Sequence, residues 1–203
     1  MATIRPLRAD DLGALYHIAL KTGDAGQDST ALYEDPKLVG HIYSAPYCVL
    51  SPETAFVVED DEGVAAYIVG ALDTRAFEAL VEEKWWPQLR PFYADPMGAP
   101  PEGWTADQFR AFLIHHPHRT PDRIVADHPS HLHINLLPRL QGQDFGRRLM
   151  DRWLETMWAM GSRGVHLGVA TANARAIRFY EAYGFSLIER DPRRETIWYG
   201  IKP

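Results

Sequence analysis

One stretch of the chain constrains its fold more than any other. His131–Leu137 alternates its side chains as a strand does until Pro138 ends it, and Phe145–Met160 carries apolar residues at helical spacing. Val165–Ala170 is a second strand, after which Asn173 caps a helix that runs to Tyr183 and stops at Gly184. A strand, helix, strand, helix succession places the chain in the α/β class, with helices packed against a sheet.

The remaining elements are read around that block. Ile4–Leu7 is a short first strand, and Asp10 is placed to N-cap a helix whose inner face is Leu12, Leu15, Ile18 and Ala19. A Gly- and Asp-rich loop spans Lys21–Ser29, and Ala31–Ser44 has room for one or two short helical turns ended by Pro46. Thr54–Glu59 and Val64–Leu72 form a hairpin around the acidic turn Asp60–Gly63. Ala76–Leu89 and Ala106–Ile114 are helical in composition, whereas Ala94–Gly103 and His115–Pro129 carry too much Pro, Gly and His for regular structure. Residues 75–129 are thus a long elaborated insertion ahead of the central strand, of the kind that covers or shapes a site. Two last strands lie near Phe185–Glu189 and Glu195–Ile201, no internal repeat is visible, and residues 1–203 are expected to form one domain.

Charge and cysteine content remove several classes of function. The 21 Lys and Arg against 27 Asp and Glu give a net charge of -6, so no broad grip on nucleic acid or on an anionic membrane is expected. The single cysteine, Cys48, allows neither an internal disulfide nor a thiolate cluster for structural zinc. The start MATIRPLRADDLGAL has acidic residues and no apolar core, and no run of 18 apolar residues occurs anywhere, which together suggest a soluble cytoplasmic protein. A homodimer is one of the assemblies open to it.

Two constellations carry chemistry. The first is Leu137–Gly146, LPRLQGQDFG, a glycine-containing loop between a strand and a helix, where backbone N–H groups and the helix dipole favour an anion. Arg147 and Arg148 stand in that helix's first turn, where the dipole disfavours cations unless a phosphate binds, and Arg139 lies just ahead. The second is Asn173-Ala-Arg-Ala176-Ile-Arg-Phe179-Tyr180-Glu-Ala-Tyr-Gly184-Phe185.

The spacing N-x-x-A-x-x-F-Y-E-x-x-G-F, with the earlier P-x-x-Q-G-x-x-x-G, resembles the Gcn5-related N-acetyltransferase superfamily over nearly the whole chain. Narrower segments resemble the acetyltransferase-like C-terminal domain of O-GlcNAcase and its free-standing bacterial relatives: Trp85-Trp86-Pro87, Asp127-His-Pro-Ser130 and Met160-Gly-Ser-Arg-Gly164. The resemblance implies a mixed central sheet with splayed middle strands, acetyl-CoA as cosubstrate, and N-acetylation of an amine acceptor by direct attack. It implies that Gln141, Gly142, Gln143, Asp144, Phe145, Gly146 and Arg147 hold the pyrophosphate. It also implies that Asn173 and Tyr180 flank the pantetheine and its sulfur, with the Tyr180 hydroxyl protonating the leaving thiolate. Asp144 departs from the family pattern, which has glycine there. We read its side chain as the N-cap of the following helix, against the alternative that its carboxylate repels the pyrophosphate.

Direct acyl transfer also needs a polarised carbonyl and a route for the ammonium's proton. The strand backbone at Ile134 and Leu136, just before Pro138 breaks regular pairing, is the candidate for the first. His131 and His133 share one face of the strand with Asn135, and either ring suits the second, with His133 ranked first and Asp127 and His128 as competitors. Of the nine histidines, the i, i+2 pair on the strand is the nearest approach to a zinc site, but no H-E-x-x-H is present and no metal is expected. Trp85, Trp86, Phe92, Tyr93 and Trp104 either pack the insertion onto the sheet or wall an acceptor groove, into which Asp95, Glu102 and Asp107 would draw a cationic amine. Asp144 and the long insertion keep one rival function open. It is a pseudo-acetyltransferase of the same fold that binds a peptide or partner protein, or senses acyl-CoA, without turnover.

Overall fold

The computed structural model of the chain describes residues 2–98, 101–193 and 195–203. At its centre is β3 (Gly63–Ala71), buried from Ala65 to Ala71 as a strand covered on both faces must be. A hairpin turned by Gly63, at φ 102°, joins it to antiparallel β2 (Phe56–Asp60), and β1 (Thr3–Pro6) extends that edge. On its other side lies antiparallel β4 (Ser130–Leu136), followed by parallel β5 (Val165–Ala170). With β7 (Thr196–Ile201) and β6 (Ser186–Asp191) the sheet has seven strands in the order β1-β2-β3-β4-β5-β7-β6. It is the expected mixed sheet, and its one parallel contact is short: β4 and β5 pair at Ser130↔Val165 and His131↔His166 and then part.

Helices cover both faces. α8 (Phe145–Ala159) buries Phe145, Leu149, Met150, Trp153, Leu154 and Met157 in the core. The Trp153 ring sits so close to β3 that a Cβ on Gly70 would run into it and into the His131 carbonyl, so only glycine fits there. The opposite face, that of Tyr67 and Val69, looks toward α1 (Leu12–Lys21), α2 (Leu38–Tyr43) and α3 (Ala45–Leu50). By register His131, His133 and Asn135 of β4 share that face. Among the described residues no helix is long and apolar enough to cross a membrane.

The insertion is more helical than its composition suggests. α4 (Thr74–Lys84) starts two residues early because Asp73 caps it, accepting from the Ala76 N–H at 3.0 Å. It ends at Trp85, because Pro87 has no N–H to continue it and instead opens α5 (Trp86–Leu89), where a missing donor costs nothing. α6 (Ala106–His115) begins with a reciprocal Thr105–Gln108 capping box. α7 (Asp122–Asp127) forms inside the stretch read as irregular, with Pro121 just ahead of its first turn. Residues 99 and 100 of the Pro- and Gly-rich segment lie outside the described residues. Two local readings are corrected near the start. Pro46 opens α3 rather than ending a helix. Asp11, not Asp10, ties down the entry to α1, accepting from the Arg8 N–H at 2.8 Å and gripping Arg5 at 2.7 and 2.8 Å.

Candidate active site

The separation of β4 from β5 exposes backbone. The Leu137 N–H donates to the Ala65 carbonyl at 2.9 Å and the Ser130 N–H to the Gly164 carbonyl at 3.1 Å. Alternation along the strand then turns odd-numbered residues of β4 to β3 and even-numbered ones toward β5. Beyond the paired residues the main-chain groups of Ile134 and Leu136 therefore point into the splay with no β5 partner. These are the two positions expected to meet an acyl carbonyl and the pantetheine.

The loop that follows is braced rather than loose. Pro138–Leu140 makes one 3-10 turn, and Arg139 is held by Asp60 at 2.8 Å, so that arginine is already compensated. Gln141 spends both ends of its amide on the protein: Nε2 donates to the Leu136 carbonyl at 2.8 Å, and Oε1 accepts from Arg175 at 2.5 Å. It is a strut between the end of β4 and α9 (Ala174–Tyr183). Gln143 folds back on the Arg139 carbonyl at 2.6 Å.

Asp144 corrects the sequence reading: it precedes α8, but its side chain makes no capping bond. Its backbone is left-handed, φ 64° and ψ 0°, the conformation that glycine adopts most easily, and Gly142 is left-handed too at φ 75°. The loop thus keeps a glycine-type turn with a carboxylate on its exposed crest, and the first-turn N–H groups of Phe145, Gly146 and Arg147 have no side-chain cap. Gly146 keeps that turn open beside the Phe179 ring, 3.4 Å from where a Cβ would stand. Arg147 lies over the Tyr183 ring and Arg148 over the Phe145 ring, with neither paired to a carboxylate among the described residues.

A cavity of about 1100 Å³ runs through the splay and under the insertion, and its lining includes none of residues 136–148, so the glycine-type loop lies outside it. At the α9 end its lining includes Asn173, Ala176 and Tyr180. Asn173 caps α9, accepting from the Ala176 N–H at 3.0 Å, and its amide lies against Gly26 of the loop after α1. Asn135 donates to Thr22 Oγ1 at 2.6 Å and so ties β4 to that same loop. Tyr180 is 8 % exposed among the Phe179, Phe185 and Tyr199 rings, and burial pushes its hydroxyl well above the usual tyrosine value, so it keeps its proton.

Three histidines line the middle of the cavity, all kept neutral by burial. Thr74 spends its hydroxyl proton on the Pro129 carbonyl at 2.7 Å, so at 2.8 Å it must accept from His131 Nδ1–H. His131 Nε2 is then left to accept from the Tyr47 hydroxyl, also at 2.8 Å. Both His131 nitrogens are therefore occupied, and burial, with His166 and His133 nearby, drives its pKa well below normal. His166 donates from Nδ1 to the His128 carbonyl at 2.6 Å and is brought down to about 4 by burial. His133 contacts the Tyr43 and Tyr47 rings, at 5.6 and 5.5 Å, and is also brought down to about 4 by burial, with a smaller push from His166. Among the described residues no group of three or more His, Cys, Asp or Glu side chains converges as metal ligands do.

Other sequence candidates lie elsewhere. Asp127 sits at the end of α7, its side chain 73 % exposed and 3.5 Å from Lys202, off the cavity wall and unfit to take a proton there. The acidic residues thought to draw a cationic amine are diverted: Asp95 to His116 at 2.7 Å, and Asp107 to the Glu34 and Asp35 N–H groups. Neither they nor Glu102 lines the cavity. Most of the aromatic residues do pack the insertion. Trp85 is buried and donates to the His41 carbonyl at 2.9 Å, Tyr93 donates to Asp35 at 2.7 Å, and Trp104 packs on Phe112, whereas Phe92 is exposed. Trp86 is the one of the five that reaches the cavity. Sequence reasoning missed Tyr43, Tyr47, Thr74, Arg110, His166 and Trp198, which topology alone brings to the wall.

Comparison with known proteins agrees with this architecture. Residues 32–185 match the acetyltransferase (GNAT) family. The crystal structure of SsHAT superposes with a TM-score of 0.91 at 37 % identity, covering 99 % of this chain and 98 % of that one. O-GlcNAcase of Rattus norvegicus is 25 % identical over 184 residues, 90 % of this chain but 20 % of that protein, so the chain spans about a fifth of the length of that relative. PaiA N-acetyltransferase from Thermoplasma acidophilum, solved in complex with coenzyme A, shares the fold at a TM-score of 0.61 and 14 % identity, covering 100 % of this chain and 99 % of that one. The splayed strands, the glycine-type loop ahead of α8 and the match over residues 32–185 lead to one assignment: the chain belongs to the acetyltransferase (GNAT) family.

Proposed function

We propose that this protein transfers the acetyl group of acetyl-CoA to an amine by direct attack, with the cosubstrate lying across the splay between β4 and β5. The observation that carries the reading is one continuous cavity that joins three features: the β4 edge at Ile134, which has no β5 partner, the Tyr180 phenol, and a neutral histidine with no bonded partner in the described residues. PaiA, of the same fold, binds coenzyme A, and the residues here suit such a ligand. The uncapped first turn of α8, with Arg147 and Arg148 beside it, would hold the pyrophosphate. Gln141 would keep that loop in place through its two bonds rather than touch the phosphates.

When bound, acetyl-CoA supplies an activated thioester carbonyl. The N–H groups of the β4 edge polarise that carbonyl as the amine nitrogen forms its bond to carbon and the carbon–sulfur bond breaks. Tyr180 donates a hydrogen bond to the departing sulfur, and Asn173 steadies the loop after α1 beside the pantetheine arm. His133, rather than fully bonded His131, accepts the proton the amine gives up. With a pKa brought down to about 4 it holds that proton only in passing and hands it to water.

Isothermal titration with acetyl-CoA, with CoA as control, tests the proposal. Saturable binding is expected, weakened at least about tenfold in Gly146→Trp, where the indole crowds the first turn of α8 against the Phe179 ring and Leu136. Binding equal in the two proteins, or no binding at all, would overturn it. A second variant reads the loop's departure from the family pattern. Asp144→Gly removes a carboxylate and a left-handed non-glycine residue, so acetyl-CoA affinity is expected to rise about threefold with stability changed by no more than about 1 kcal/mol. Asp144→Asn, which removes the charge alone, is expected to give most of the affinity gain.

A further inference from the structure

The cavity wall under the insertion holds a guanidinium with no carboxylate against it. Arg110, on α6, donates from Nε to the Tyr33 hydroxyl at 3.0 Å and from a terminal nitrogen to the Tyr43 hydroxyl at 2.9 Å. Its guanidinium carbon stands 5.1 Å from the Tyr43 ring centre, 5.6 Å from Phe109 and 6.0 Å from Tyr33. Among the described residues no Asp or Glu pairs with it. The carboxylate one turn away on the same helix, Asp107, is spent on backbone N–H groups. The other arginines of the wall are compensated: Arg75 by Glu78 and Asp122, each at 2.5 Å, and Arg119 by Asp122 at 3.1 Å.

Two neutral hydroxyls and three π faces fix the Arg110 fork in position, but they satisfy only part of its five N–H donors and none of its charge. A pre-organised, half-buried fork of this kind is suited to a planar oxyanion, which it grips through two parallel hydrogen bonds. Its place in the cavity links it to the reacting end. The Tyr43 ring that Arg110 covers is also the ring that His133 packs against, 5.6 Å away, so two aromatic contacts separate the guanidinium from β4. From these observations, and resting on the acetyl transfer proposed above, we infer that the acceptor is an amine that also bears a carboxylate, with the carboxylate paired to Arg110 and the amine directed at β4. A polyamine would instead bring a second cation against Arg110.

The full chain, saturated with CoA, is titrated with amino acids and short peptides and with their C-terminal amides, which differ only in the anion. Spermidine and phosphoethanolamine are run alongside, and the same set is assayed for thiol release from acetyl-CoA. At least one acid is expected to bind about tenfold or more tightly than its amide, with that margin abolished in Arg110→Gln and partly kept in Arg110→Lys. Acetyl-CoA affinity in both variants is expected to match the parent, which shows the splay intact. Acids and amides binding alike, none binding, or spermidine or phosphoethanolamine binding best would overturn the inference. Arg110-dependent binding of an acid without thiol release from any amine would support the anion site and count against the acetyl transfer itself.

Discussion

Moving from about pH 7.5 to about pH 5 is expected to remove several kcal/mol of folding stability, because this fold buries histidines that an unfolded chain would protonate. His166 is 2 % exposed and His41 7 %, and burial brings each down to about 4 from the ordinary 6.5. For His41 the neutral form is also the bonded one, because its Nδ1 accepts from the Tyr16 hydroxyl, itself pushed up to about 12 by burial and therefore protonated. The His166 Nδ1–H bond to the His128 carbonyl would survive protonation and opposes the shift, so burial alone carries the effect there. Between about pH 4 and about pH 6.5 the unfolded chain binds more protons than the folded one, so stability rises with pH across that window and is lost as pH falls through it. At about pH 5 each such histidine costs about 2 kcal/mol, a large share of a typical domain's net stability, and His133 adds to the loss. Asp11 and Asp60 are lowered from their ordinary value with the help of their arginine partners, so they do not reverse the sign of this slope. Urea unfolding at several pH values checks the expectation. His166→Asn should be less stable at neutral pH but show a shallower slope, by close to one proton. A stability curve flat across the window would mean that these rings are not neutral in the folded state.

How much of this was legible in the chain depends on how local the signal is. The hairpin closing on Gly63 and the helix from Asn173 to Gly184 were readable because each rests on a turn or cap whose chemistry lies within a few residues. The splay was legible only through resemblance, since nothing between Ser130 and Ala170 states that pairing ends after two residues. Pro46 and α7 were misread for a shared reason: proline signals a boundary, and without tertiary context the boundary reads equally as the end or the start of a helix. Asp144 shows the limit for caps, because its position matched an N-cap while its backbone had taken the left-handed turn that keeps the side chain away. The acceptor wall was the least legible part. Arg110 looks like any helical arginine until α2 brings Tyr43 to it and Asp107 is drawn off to the 34–35 backbone, contacts that span more than sixty residues. Asp95 and Asp107, two of the acidic residues read as suited to a cationic acceptor, were thus consumed by the fold, and a cation was left in the wall.

Tyr180→Phe is expected to lower the rate of thiol release by about two to three orders of magnitude while leaving acetyl-CoA affinity within about threefold of the parent. The change removes one oxygen and keeps the ring that packs on Phe179, Phe185 and Tyr199, so the fold and the cavity wall are conserved. The oxygen itself matters only as charge builds on sulfur. Burial pushes the phenol well above its ordinary value, so it stays protonated over the whole range in which the protein is folded and presents a donor whenever the thiolate forms. A hydrogen bond that strengthens as charge develops lowers the barrier without tightening the ground state, which separates rate from affinity. Because the phenol does not titrate in that range, the pH dependence of the residual rate should keep the parent's shape. Single-turnover thiol release beside calorimetric titration measures both quantities on one preparation. Turnover equal to the parent's with cosubstrate bound would exclude Tyr180 as the donor, and affinity and rate lost together would assign it to holding the cosubstrate instead.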